Sequence, residues 1–399
     1  MLISSSSIWV VCYLMIFVVY PLAGAEEPAN NEFLIDVYAF FGILMFWVGI
    51  QIARMSKSSH SLPRKQYYPR FWVSFVIFLF FAALTISQFI SQFGIGSISN
   101  VIIGSTTTKM LMNETAGEVG GLYGISLQIM MPTVLAVWVS AKSKKETLIK
   151  IGCAMMFIVI HVLFSFTRIF LITFIAVILC YELRNKPMRK QALIMGGGAV
   201  LLVTIMVVMN FLRTFGMGGT LDSDYLFDLA YVFESTDFGA SYFWFDKLLD
   251  YGYPGISPLA WFKFLFVFIP RSIWPGKPEP LSLQILNKVD PSTAATGYST
   301  AGNSVLGEGY AIIGDIGIFL FPLIWGIVCE TLDKRYQKRL KFGIDGSAPN
   351  LVYYLFTIFV ILSAQRGDWS QYMTIFLYWW VLPLFLLSRK KSVTITHRH

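Results

Sequence analysis

Charge is scarce in this chain of 399 residues: Asp, Glu, Lys and Arg make up 14%, against 56% hydrophobic and 16% aromatic residues. No soluble globular composition approaches this balance, which is that of a polytopic membrane protein. Cysteine and histidine are equally sparse, at four each. Cys12, Cys153, Cys180 and Cys329 fall in or at the ends of apolar segments without a CxxC pair, and only His161 lies inside such a segment, so neither a disulfide framework nor a zinc site is supported. His161 reads as a packing residue or an interhelical hydrogen-bond partner. The sequence also lacks GxSxG, HExxH, a Walker loop and the Rossmann glycine pattern. No half of the chain repeats the other, which counts against a transporter. The net charge of +8 does not indicate nucleic acid, because the basic residues sit in short clusters between apolar segments.

What the chain does have is apolar runs long enough to cross a hydrocarbon core of roughly 30 Å, about ten of them. They cover residues 6–23, 33–53, 71–93, 121–140, 150–166, 168–184, 191–212, 307–330, 350–365 and 372–388. The expected fold is all-α, one membrane domain over 1–399, with one large external loop at 213–306 between the seventh and eighth helices. The apolar run Ile151 to Leu183 is too long for one helix and is broken at Ser165-Phe-Thr-Arg168. Near the N-terminus, Ile8 to Leu22 followed by Ala23-Gly-Ala25 imitates a signal peptide. Residues 1–7 carry no Lys or Arg, however, which argues for a retained first helix.

Orientation follows from Lys and Arg placement. Five clusters, beginning at Arg54, Lys142, Arg184, Lys334 and Arg389, put about 22 of the 31 basic residues on one side, which is then cytoplasmic, with both termini. The opposite side keeps Lys109, Arg168, Arg213, Lys247, Lys263, Arg271, Lys277, Lys288 and Arg366, together with most carboxylates. Within the large loop, Leu226, Leu229, Val232 and Phe233 recur at helical spacing and predict an amphipathic surface helix. Pro258 to Ile269 is apolar but too short to cross, and predicts a re-entrant or interfacial segment. Pro280 to Gly307 is small and polar and reads as irregular loop.

Arg168, Arg213, Arg271 and Arg366 each stand at an external helix end or directly after an apolar segment. A guanidinium grips phosphate oxygens bidentately and stays charged in a partly dehydrated site. Snorkelling explains any one of them equally well, but four on the side poor in basic residues run against the positive-inside bias. Lys277, fixed within Trp274-Pro-Gly-Lys-Pro278, is a further phosphate contact or a solvated loop lysine. Glu308 and Asp315 are expected on one face of a single eighth helix, two turns apart. Glu308 is open between a general base and the partner of an arginine, and Asp368 shares that ambiguity. Trp261, Trp274 and Tyr253, among the loop aromatics, fit an interfacial belt or the stacking of sugar rings.

Four pieces together give the chain a likeness: Phe166-Thr-Arg168, Phe268-Ile-Pro-Arg271 with Trp274-Pro-Gly-Lys277-Pro278, Gly307-Glu308-Gly309-Tyr310 followed by Gly314 and Gly317, and Arg366-Gly367. In these, in helix number and in its single large loop, it resembles the O-antigen polymerases, the Wzy-type oligosaccharide repeat unit polymerases of bacterial inner membranes. The resemblance implies a glycosyltransferase without cofactor or metal, acting on the periplasmic face on undecaprenyl-diphosphate-linked repeat units. It implies Arg271 and Arg366 as the groups that neutralise the departing diphosphate, with Arg168, Arg213, Lys277 and Tyr310 in substrate binding and Glu308 orienting or deprotonating the acceptor hydroxyl. A flippase and a chain-length regulator of the same pathway are the implied partners. Related ligases share this layout, and a non-enzymatic flippase is the remaining alternative.

Overall fold

The computed structural model describes residues 4–22, 29–56, 65–94, 122–164, 168–187, 189–191, 193–194, 196–197, 237–295, 302–367 and 369–392. Arg213, Asp368, the expected seventh helix beyond residue 197 and the expected surface helix around Leu226 to Phe233 lie outside these residues. Arg168 is described by its backbone alone.

The chain is predominantly helical, and among the described residues seven helices are long and apolar enough to cross a membrane. In chain order the first elements are α1 (Ser5–Leu22), α2 (Glu32–Met55), β1 (Lys65–Pro69), α3 (Phe71–Phe93), α4 (Leu122–Ser140), α5 (Lys144–Phe164) and α6 (Arg168–Leu183). The loop region supplies α7 (Asp237–Tyr251), α8 (Leu281–Val289) and α9 (Pro291–Ala295), then come α10 (Val305–Ile313), α11 (Asp315–Lys341), α12 (Ala348–Arg366), α13 (369–386) and β2 (Ser388–Ser392). Exposed apolar side chains such as Phe40, Trp47, Val76 and Phe80 face outward, as lipid contact requires. Among the described residues the one departure from all-α is a short ribbon, β1 paired antiparallel with β2, which ties the third helix's entry to the end of α13.

The central contact is α2 against α11, which run parallel. Gly49 and Gly326 let the backbones meet: a Cβ on Gly49 would run into the Leu323 carbonyl, and one on Gly326 into that of Phe46. Small residues at such crossings replace the hydrophobic drive that lipid cannot supply. At one end of this pair Tyr38 donates to Asp315 Oδ1 at 2.8 Å, and at the other Arg54 Nε meets Glu330 Oε1 at 3.1 Å. The first helix is packed into the bundle rather than lying beside it. Trp9 and Ile16 are buried, and Asp333 of α11 accepts from Ser5 N at 2.8 Å, Ser6 N at 3.2 Å and the Tyr353 hydroxyl at 2.7 Å. A carboxylate on the first N–H groups of a helix satisfies donors that have no partner within it.

Two expectations are corrected. The stretch 307–330 is not one helix: Gly314, at φ +64°, turns α10 back against the start of α11, so Glu308 and Asp315 stand on different arms of a hairpin. Pro280 to Gly307 is not irregular throughout, since α8 and α9 form within it. Pro258 to Ile269 does stay short of a span, as two single-turn 3-10 helices at Pro258–Ala260 and Lys263–Phe266.

Candidate functional site

The α10–α11 hairpin closes to backbone contact. A Cβ on Gly309 would collide with the Gly317 carbonyl, and one on Gly317 with that of Gly309. Ser304 caps α10, its hydroxyl accepting from Gly307 N at 3.3 Å. Because α10 folds back, Glu308 in its first turn is carried down beside α11 instead of projecting from the bundle's end. Its side chain is only 2% exposed.

The carboxylate accepts from both tryptophans. Trp261 Nε1 donates to Oε2 at 3.2 Å, and the backbone N–H of Trp369 donates to Oε1 at 3.1 Å. The two tryptophans are themselves joined, Trp369 Nε1 donating to the Trp261 carbonyl at 3.0 Å with ring centroids 4.6 Å apart. Phe321 lies 4.8 Å from the Trp261 ring, while Phe264 and Trp325 meet Trp369 edge-on at 5.3 and 5.8 Å. Glu308 is thus held in an aromatic wall drawn from the 3-10 segment, α11 and α13. A charge in such surroundings is retained only where hydrogen bonds are aimed at it.

The same turn carries Arg366. It ends α12, is half-buried, and is followed by Gly367 at φ +95°, where a Cβ would strike the backbone of Asn303. Gly302 in turn packs on the Arg366 carbonyl. The strand-like stretch into α10 and the Arg366-Gly367 turn are therefore pressed together, which places both expected residues, Glu308 and Arg366, around one turn.

Tyr310 faces elsewhere on α10. Its ring meets Tyr253 edge-on at 6.4 Å, and the Tyr253 hydroxyl donates to Ile312 O at 2.8 Å. Tyr310 also feels the charge of Asp315, so it belongs to the hairpin's outer tip with Tyr38.

Arg271 and Lys277 are neighbouring cations at the far end of the segment that starts at Trp261. That segment follows α13, with Phe264 on Trp369 and Phe268 on Tyr378 at 4.6 Å, a stretch of helix roughly 13 Å long at 1.5 Å per residue. Arg271 is exposed. The Lys277 ammonium is not a free loop cation: it donates to Val267 O and Ile269 O, both at 3.0 Å, which leaves one of its three protons for another partner. Desolvation, then the neighbouring Arg271 charge, lowers its pKa.

The loop elements are anchored to the bundle around this site. Asp246 of α7 accepts from Asn31 N at 2.9 Å and Asn30 N at 3.1 Å, so that α7 caps the start of α2. Lys247 pairs with Asp290 at 3.5 Å, and Ile256 N donates to Ala311 O at 2.9 Å. From the sequence Trp261 fitted an aromatic belt or a sugar-stacking surface, and Trp369 had no role. The signal that singles them out is spatial, the convergence of an indole and a backbone N–H on one buried carboxylate. Compared with protein-family models, curated proteins and solved structures, the chain matches none.

Proposed function

We propose that this protein lengthens lipid-linked oligosaccharides at one face of a bacterial inner membrane. The growing chain passes from its undecaprenyl diphosphate carrier to the terminal sugar of a newly delivered lipid-linked repeat unit. The observation that carries this reading is the Glu308 carboxylate, buried in an aromatic wall and set around one turn with Arg366.

In such a transfer the acceptor oxygen forms a bond to the anomeric carbon, the bond from that carbon to the diphosphate oxygen breaks, and the acceptor proton must leave. Glu308 takes the proton, its geometry held by Trp261 and Trp369. The diphosphate departs with added negative charge, which Arg366, around one turn with Glu308, neutralises, supported by Arg168 and Arg213, while Arg271 and Lys277, a stretch of α13 away, hold a further anionic part of the lipid-linked substrate. Ring faces of the tryptophan wall offer apolar contact to the sugar. On this reading the chain has ten spans with both termini cytoplasmic, and the 213–306 loop and the site are periplasmic.

The test is the product that accumulates in cells carrying Arg366→Ala, Arg271→Ala or Glu308→Gln. A polymerase failing in this way leaves surface lipid with a single repeat and no ladder. Long chains stranded on undecaprenyl diphosphate beside a bare core would instead assign the protein to ligation, and single repeats trapped on the cytoplasmic leaflet would assign it to flipping.

A further inference from the structure

The end of the bundle opposite Glu308 lies the length of α11 away, 27 residues or about 40 Å. It holds a half-open cavity of about 250 Å³ where β1, β2 and the ends of α4 and α6 meet the turn between α11 and α12. Three charged side chains line it: Lys142, Lys391 and Asp345. The carboxylate is already neutralised. Arg184 Nε reaches its two oxygens at 2.8 and 2.9 Å, Gly346 N donates to Oδ1 at 2.7 Å, and the guanidinium lies over the Tyr181 ring, 3.7 Å from its centroid. Lys142 and Lys391 take part in none of the ion pairs recorded among the described residues. Tyr68 adds a phenol to the lining. Burial, then the Asp345 charge, raises its pKa, so it stays protonated and able to donate.

We propose that this cavity binds a phosphate group, gripped between the ammonium groups of Lys142 and Lys391 with the Tyr68 hydroxyl as a neutral donor. Two lysines from separate elements line a space whose one acid is internally paired, and although Glu146, outside the lining, accepts from the Lys142 backbone N–H at 2.7 Å, the lining itself keeps a net attraction for an anion. The remaining volume accepts what a phosphate ester carries. Its source is either the headgroup of an anionic phospholipid in that leaflet or a free phosphate ion.

The test uses the full chain in detergent micelles. Native mass spectrometry with added phosphatidylglycerol or phosphatidylcholine reads the lipid source. Thermal denaturation in sodium phosphate against sodium chloride at equal ionic strength reads the free ion. Lys145→Gln removes one such charge outside the cavity, and Lys142→Gln/Lys391→Gln removes two, from exposed positions whose side chains pack against no core. Preferential retention of phosphatidylglycerol by wild type and Lys145→Gln, reduced at least tenfold in the double variant, supports the site with a lipid occupant. Phosphate-specific stabilisation with the same dependence on the two lysines, without lipid retention, supports it with a free ion. Equal behaviour of all three proteins, or a loss in Lys145→Gln as large as in the double variant, overturns the proposal.

Discussion

Trp261 and Glu308 are 47 residues apart in sequence, yet the indole N–H of one donates to the carboxylate of the other at 3.2 Å. That single bond ties the 3-10 segment of the loop to the α10–α11 hairpin. A hydrogen bond to a charged group is worth about 1.5–3 kcal/mol, and each 1.4 kcal/mol is about tenfold in rate. Trp261→Phe keeps an aromatic ring at the position and removes the donor. Polymerisation by the purified variant should fall between about 10- and 100-fold, mainly in kcat rather than KM, and its melting temperature should fall as well, because the same bond holds the 3-10 segment to the hairpin.

The hairpin itself depends on glycine at two facing positions. Gly309→Ala and Gly317→Ala each set a methyl group into backbone that has no side chain to move aside, an overpacking cost of at least about 1–3 kcal/mol. Both variants should melt at clearly lower temperature in detergent. Gly276→Ala, with only the tip of Trp274 within 4 Å of the new methyl, should melt with wild type. Equal melting of all three would mean that the backbones do not meet as described.

Acid stability should report on Asp290, which joins α7 to α8 and α9. Its pKa is lowered by hydrogen bonds from Ser292 and from the Thr293 backbone and hydroxyl, with the Lys247 charge a smaller contribution. A carboxylate with a folded pKa below its unfolded value stabilises above that unfolded value, about 3.9, and loses the contribution as pH falls through the folded pKa. Asp290→Asn should therefore unfold at lower temperature than wild type at pH 7. The two curves should begin to approach each other as pH falls below about 4 and should meet only once it has passed the lowered folded pKa, read by tryptophan fluorescence.

Turnover should survive chelation. The proposed chemistry assigns the diphosphate charge to arginines, so purified protein with lipid-linked repeats should keep polymerising in excess EDTA. Activity lost to EDTA and restored by Mg²⁺ or Mn²⁺ would make Glu308 or Asp315 a metal ligand instead.

Sidedness is open to labelling. Single cysteines at Glu279, in the loop, and at Lys145, between α4 and α5, should react with a membrane-impermeant maleimide from opposite faces. In spheroplasts only the position 279 cysteine should label before lysis. Labelling of both, or of the position 145 cysteine alone, would reverse the orientation given by the basic clusters.

The helices were legible in the chain itself, because crossing a membrane demands about 20 consecutive apolar residues and few sequences satisfy that by accident. The expected starts at 33 and 71 and the end at 140 agree with α2, α3 and α4 to within a residue. The place of Arg366 at a helix end was likewise legible, and it does close α12. The hairpin at Gly314 was not, since 307–330 reads as one hydrophobic run and hydropathy does not register a change of direction. Only tertiary packing decides it, through two glycines whose lack of a side chain matters when another backbone arrives beside them. The same limit hid Trp261 and Trp369: an indole in a loop resembles any interfacial aromatic until the fold aims it at a buried carboxylate. Local chemistry determined which segments cross and which charges stand at their ends. The meeting of distant residues around Glu308 was settled by the close approach of backbones, a property of pairs of segments that no single stretch of sequence contains.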